Sequence, residues 1–179
     1  MPIVALDRDG VINVDSPHYI KSKGEWEPLP GSIEAIKALN DKGYRVYVAT
    51  NQAGLARGLF QQSDLDEMHS KLESLVEAEG GHVSGIKYCP HHPDEKCQCR
   101  KPMPGLLRQI ERASGESMKN QCFVGDSLKD IQAAMSIGAK PILVLTGNGR
   151  STQSKLKERS VDVETYDTLL DFAKAIATT

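Results

Sequence analysis

A chain of 179 residues with a formal net charge of −2 is long enough for one α/β domain with a sizeable core and lacks the basic excess of broad nucleic-acid binders. Its 26% charged and 39% hydrophobic residues are ordinary for a soluble globular protein, and no apolar stretch approaches the ~20 residues that span a membrane. Asp7, Arg8 and Asp9 interrupt the apolar N-terminal segment too early for a signal peptide, so a cytoplasmic protein is expected, with its four cysteines as thiols or metal ligands rather than disulfides.

The first element is a buried strand over Ile3–Leu6, short and apolar. Residues 13–30 show no clear periodicity and hold the only tryptophan, Trp26. A helix is expected over 31–40, with Ile33, Ile36 and Leu39 at three-residue spacing, then a strand over 45–49. The next helix, 64–79, carries Leu65, Met68, Leu72, Leu75 and Val76 on one face, with Ser63 as its N-cap. A third strand spans 85–88, and a proline opens a helix over 104–113. A strand over 122–124, with Cys122 as a core residue, precedes a helix over 128–137 that stops at Gly138. The last elements are a strand over 141–145 and a helix over 166–177, with a Gly/Ser-rich stretch of undefined structure at 146–154. This alternation predicts one domain over residues 1–179: an α/β fold in three layers, a parallel sheet with helices on both faces.

In such sheets ligands bind beyond the C-terminal ends of the strands. The polar groups fall there: Asp7-Arg8-Asp9 after the first strand, Thr50-Asn51-Gln52 after the second, Arg100-Lys101 beyond the third, and Gly125-Asp126-Ser127 after the fourth. Two carboxylates two residues apart at a strand end repel unless a cation or a shared proton holds them. Asp7, Asp9 and Asp126 are therefore candidate Mg²⁺ ligands. This set suits a phosphate ester. Asp7 would attack phosphorus, Asp9 would exchange protons with the leaving oxygen and then with water, Thr50 would offer a hydroxyl, and Lys101 a compact positive charge. Taken singly, Thr50 reads as a helix cap, Lys101 as a surface charge and Asp126 as a turn residue.

A second cluster lies between Cys89 and Cys99, where three cysteines and two histidines occupy eleven residues. C-x-H followed by C-x-C can close a tetrahedral Zn²⁺ site of Cys89, His91, Cys97 and Cys99, with His92 as the alternative imidazole. Four protein ligands make a structural role the expectation, with the zinc loop at 89–99 presenting Arg100 and Lys101.

Together, the D-x-D of Asp7–Asp9, Thr50, Lys101 and the G-D-x-x-x-D of Gly125–Asp130 resemble the haloacid dehalogenase superfamily of aspartyl phosphatases. The runs Asp7–Asn13, Ala49–Gly58, Cys89–Pro93, Cys97–Pro102 and Val124–Ser127 narrow this to a small branch with a minimal cap. That resemblance implies a monomeric enzyme that removes the 7-phosphate of a phosphorylated sugar, D-glycero-D-manno-heptose 1,7-bisphosphate, for lipopolysaccharide core synthesis, with no nucleic-acid or membrane partner. It implies substrate contacts from Asp15, His18, Tyr19, Thr50, Asn51, Gln52, Arg57, Arg100 and Lys101. Arg100 would grip the distal phosphate in bidentate fashion, and Asp130 would support the metal shell. Ala53 departs from the serine usual in that branch. Histidinol-phosphate phosphatases share the D-x-D and the Cys/His pattern and form the alternative. A zinc-binding module without activity is the non-enzymatic one.

Overall fold

The computed structural model describes residues 1–179. Six parallel strands form one sheet: β1 (Ile3–Leu6), β2 (Arg45–Asn51), β3 (Gly85–Cys89), β4 (Cys122–Gly125), β5 (Lys140–Val144) and β6 (Glu164–Tyr166), in the order β3-β2-β1-β4-β5-β6. The crossovers carry α1 (Ser32–Asp41), α2 (Gln62–Ala78), α3 (Gly105–Ser114), α4 (Leu128–Ser136) and α5 (Gly149–Glu158), and α6 (Leu169–Ala175) follows β6.

β1 sits at the centre because every one of its residues is apolar and buried. Side-chain alternation divides it between two cores. Val4 and Leu6 join Val46, Val48 and Val124 under α1, α2 and α6. Ile3 and Ala5 join Tyr47, Ala49 and Phe123 under α3 and α4. Ile131, Leu143 and Leu156 make a smaller core between β5, α4 and α5. The result is the three-layer parallel architecture expected. The chain runs outward from β1 through β2 to β3, then crosses back to place β4 on the other side of β1. The switch point lies between β1 and β4, where such sheets open a crevice.

Three stretches depart from the sequence expectation. The helix expected at 64–79 begins at Gln62; Ser63 lies inside it, and Asp64 Oδ2 accepts from the Gln61 amide (2.8 Å) to close the first turn. α5 occupies much of the stretch left undefined. Its buried face is Gly149, Thr152 and Leu156, so hydrophobic periodicity had only one large apolar residue to register. The helix expected over 166–177 is present as α6 but starts at Leu169, capped by Thr168 (accepting from Asp171 N, 3.2 Å), while Tyr166 ends the edge strand β6, which the sequence left unassigned. Residues 13–30 form no long element, yet Trp26 is wholly buried among α1, α2 and β1 residues. Lys71 of α2 donates to the carbonyls of Trp26 (2.7 Å) and Lys23 (2.8 Å), which ties this segment down. No helix is long and apolar enough to cross a membrane.

Candidate active site and metal centres

Strand register brings the carboxylates together. Leu6 lies beside Val124, and the Asp7 amide donates to the Val124 carbonyl (2.9 Å), so Asp7 and Asp126 leave adjacent strands at one level. Asp7, Asp126 and Asp130 are all buried, and one oxygen from each lies within 4.8 Å of the others. Burial pushes the Asp7 carboxyl well up, and the charge of Asp130 adds to the rise. Burial and Asp130 likewise bring Asp126 up to about 7. Such a group favours a bound cation, because each carboxylate disfavours ionisation of the next.

Lys101 is the only cation inside this group. Its ammonium donates to Asp7 Oδ1 (2.8 Å) and the Ala49 carbonyl (2.9 Å) and forms an ion pair with Asp130 Oδ1 (2.8 Å). Burial would lower the Lys101 pKa, but Asp130 and Asp7 outweigh it and hold the ammonium charged. The Lys101 backbone is clamped by Asn51, whose side chain accepts from Lys101 N (3.0 Å) and donates to Lys101 O (3.2 Å).

Each carboxylate keeps a different free edge. Asp130 Oδ2 is filled by the Asp126 and Ser127 amides (3.2 and 3.1 Å) and the Ser127 hydroxyl (2.9 Å), so Asp130 organises the start of α4. Asp7 Oδ1 accepts from Arg8 N and Lys101, leaving Oδ2 to face the cavity. Asp126 Oδ2 accepts from Asn148 N (2.8 Å). Asp7 and Asp126 therefore have the oxygens to hold a hard divalent cation such as Mg²⁺, with Asp130 behind them. Asp9, expected beside Asp7 on the metal, stands outside this trio. Its Oδ1 accepts from Arg8 Nε and Asn13 Nδ2 (both 2.9 Å), and Gln52 Nε2 lies 3.2 Å from its Oδ2. The same Gln52 nitrogen donates to Thr50 Oγ1 (3.0 Å), leaving the Thr50 hydroxyl hydrogen for a ligand.

Two glycines let the loops after β1 and β5 close on Asp126. Gly10 and Gly147 have φ of 84° and 54°, and a Cβ on either would come within 2.2 Å of Asp126 Oδ2. Only glycine fits there without movement.

The cavity above these groups, about 690 Å³, brings together Asp7, Asp9, Asp15, Tyr19, Thr50, Asn51, Gln52, Arg100, Lys101 and Asp126. His18 and Arg57 are exposed and do not line it. Sequence reading missed Asn148 and the cations Lys129, Lys155 and Arg159, which line the same cavity. Lys155 and Arg159, four residues apart, share a helix face, a signal visible only once α5 is recognised.

The Cys/His cluster closes as its spacing suggests. Cys89 Sγ lies 3.4 Å from His91 Nδ1 and 3.5 Å from Cys97 Sγ, and Cys99 Sγ lies 3.2 Å from His91 Nδ1 and 3.6 Å from Cys97 Sγ. These separations fit a tetrahedron with bonds of about 2.0–2.3 Å. His92 is turned away, its Nδ1 accepting from Asp94 N (3.1 Å). Burial raises the Cys89 thiol. At Cys97 burial is outweighed by the Arg100 amide (3.3 Å from Sγ) and neighbouring thiols, which bring it down to about 7. The donor set suits zinc, and the Arg100 contact couples the cluster directly to the Lys101 loop.

Comparison with known proteins agrees with this geometry. A HAD-hydrolase-like family model matches residues 98–172. The chain is 51% identical over 155 residues to the D-glycero-β-D-manno-heptose-1,7-bisphosphate 7-phosphatase of Pseudomonas putida, covering 87% of this chain and 89% of that one. It is 45% identical over 177 residues to the enzyme of the same name from Neisseria meningitidis, covering 98% and 95%. The chain belongs to the heptose-1,7-bisphosphate 7-phosphatase family. A crystal structure from this family, the D,D-heptose 1,7-bisphosphate phosphatase of B. bronchiseptica complexed with magnesium and phosphate, superposes with a TM-score of 0.91 at 44% identity, over 97% of both chains.

Because Asp130 both caps α4 and balances Lys101, Asp130→Ala should lower stability by about 3–5 kcal/mol, the usual cost of breaking a buried ion pair. Urea denaturation measures this; a loss below about 1 kcal/mol would show that Lys101 does not depend on Asp130.

Proposed function

We propose that the protein is a Mg²⁺-dependent phosphatase that removes the 7-phosphate of D-glycero-D-manno-heptose 1,7-bisphosphate. The observation that carries this reading is the Asp7–Lys101–Asp130 arrangement beside Asp126, at the floor of one polar cavity, in a member of this family.

Asp7 Oδ2 attacks phosphorus while the bond to the sugar oxygen breaks, giving an aspartyl-phosphate. Lys101 fixes Asp7 through its other oxygen and adds positive charge where the phosphoryl group passes. The Thr50 hydroxyl donates to a phosphoryl oxygen. Asp9 protonates the departing sugar oxygen, then takes a proton from the water that attacks phosphorus and frees Asp7. When held by Asp7 and Asp126, Mg²⁺ neutralises the repulsion between an anionic nucleophile and an anionic ester. Arg100 reads the distal phosphate from the cavity rim, where Lys129, Lys155 and Arg159 add positive charge. Asp15 and Tyr19 border the sugar. Cys89, His91, Cys97 and Cys99 would hold zinc, which would act structurally.

A phosphate-release panel tests the activity. With Mg²⁺, the protein should hydrolyse heptose 1,7-bisphosphate in preference to histidinol phosphate, and Asp7→Asn should abolish turnover while the circular-dichroism spectrum is kept. Preference for histidinol phosphate would move the substrate to the alternative branch; near-normal turnover by Asp7→Asn would rule out the covalent mechanism. Metal analysis tests the cluster. Protein purified without chelator should carry about one zinc per chain, as one four-ligand site requires, and Cys97→Ser should carry less. Finding no zinc in the wild-type protein would remove the structural-zinc reading.

A further inference from the structure

Arg8 is wholly buried, although it lies between two active-site aspartates. A guanidinium so deeply placed needs partners on every edge. Its Nε donates to Asp9 Oδ1 (2.9 Å), and Nη2 stands 2.9 Å from the same oxygen as an ion pair without a hydrogen bond of its own. On its far side, Nη1 lies 3.2 Å from His69 Nε2 and 3.9 Å from Met68 Sδ, both on α2. Arginine can only donate, so His69 Nε2 carries the lone pair and Nδ1 the hydrogen. Burial and the Arg8 charge bring the His69 pKa down to about 3, which keeps it a neutral acceptor. His69 is itself held in place, buried and tilted against Tyr88 with ring centroids 6.0 Å apart.

Oδ1 of Asp9 thus accepts from Arg8 Nε and Asn13 Nδ2 at 2.9 Å each, with the Nη2 end of the guanidinium charge beside it. A proton on that oxygen would face donors only. Oδ2 meets one donor, Gln52 Nε2 at 3.2 Å, shared with Thr50 Oγ1, so it keeps an open edge to carry a proton, and Asp9 lines the cavity. We infer that Arg8 and His69 are positioning residues that lock Asp9 so that its transferable proton sits on Oδ2, aimed at the leaving oxygen. The inference rests on the reading of Asp9 as proton carrier. As the phosphorus–oxygen bond breaks, its electron pair passes to the sugar oxygen, and that oxygen takes the proton from Oδ2. His69 acts at one remove: it accepts from Nη1 and so fixes the plane of the guanidinium that grips Oδ1.

Leaving-group dependence separates this role from general support of the fold. A sugar alkoxide departs only with a proton, whereas p-nitrophenolate leaves as a stabilised anion. The parameter kcat/KM reports the steps up to that departure. His69→Leu removes the acceptor; His69→Gln restores one. His69→Leu should lower kcat/KM for heptose 1,7-bisphosphate by about tenfold or more, within the range general acid catalysis supplies. It should change kcat/KM for p-nitrophenyl phosphate by less than about threefold, and His69→Gln should recover most of the sugar-phosphate activity. Should His69→Leu fail to fold, Arg8→Lys carries the same comparison, keeping the buried charge but losing the planar guanidinium that reaches Asp9 and His69 at once. Equal losses on both esters, or no loss on either, would overturn the inference. Asp9→Asn is the reference: it should show the same selectivity more strongly, and if it shows none, the role of Asp9 itself fails and the inference with it.

Discussion

The ammonium of Lys101, held among Asp7, Asp130 and the Ala49 carbonyl, is the contact on which the rest of the site depends. Three buried carboxylates at the end of a sheet repel one another, and one buried ammonium offsets only part of that. Asp7, Asp126 and Asp130 against Lys101 make three negative charges and one positive. The remaining excess of two equals the charge of one divalent cation. Burial first, and the neighbouring Asp130 charge second, raise the carboxyl groups of Asp7 and Asp126. A dry, preorganised site with unspent negative charge binds a hard cation strongly and keeps the nucleophile fixed.

Lys101 arrives from beyond β3, which two strands separate from β4, so its placement depends on a loop with little regular structure. Two devices hold that loop. The Cys/His cluster ties Cys89, at the end of β3, to Cys97 and Cys99 immediately before Arg100. Asn51, at the end of β2, then clamps the Lys101 backbone on both sides. On the opposite wall, Thr146 donates to the Gly10 carbonyl (2.6 Å), joining the β5 and β1 loops above Asp126. Zinc, where bound, would therefore serve catalysis at a distance, by holding charge in register.

The sequence was most legible where one residue type follows one strand. Asp7, Thr50 and Asp126 could be placed because each ends a buried apolar run, and parallel strands bring such ends together. Cys89, His91, Cys97 and Cys99 were legible through spacing alone. Orientation was not. Asp9 turns from the metal trio because Arg8 grips it, and Arg8 is held by His69, some sixty residues away. No local pattern carries that contact. Asn148 and the cations of α5 were hidden for a different reason: that helix covers the sheet with Thr152 and Leu156, too little apolar surface to mark a period. β6 went unrecognised, and the last helix was begun three residues early at Tyr166, because an edge strand of three residues, Glu164–Tyr166, has neither length nor alternation to declare itself.

The claim that the carboxylate trio is built for a divalent cation is tested most directly by thermal melting in magnesium-free buffer and in increasing MgCl₂. The wild-type protein should melt at a higher temperature as Mg²⁺ rises, along a saturating curve, because binding to the folded state alone stabilises it. Asp126→Asn removes one of the repelling charges. It should melt above the wild type without Mg²⁺ and gain little from adding it. A wild-type melting temperature that does not respond to Mg²⁺ would contradict the account.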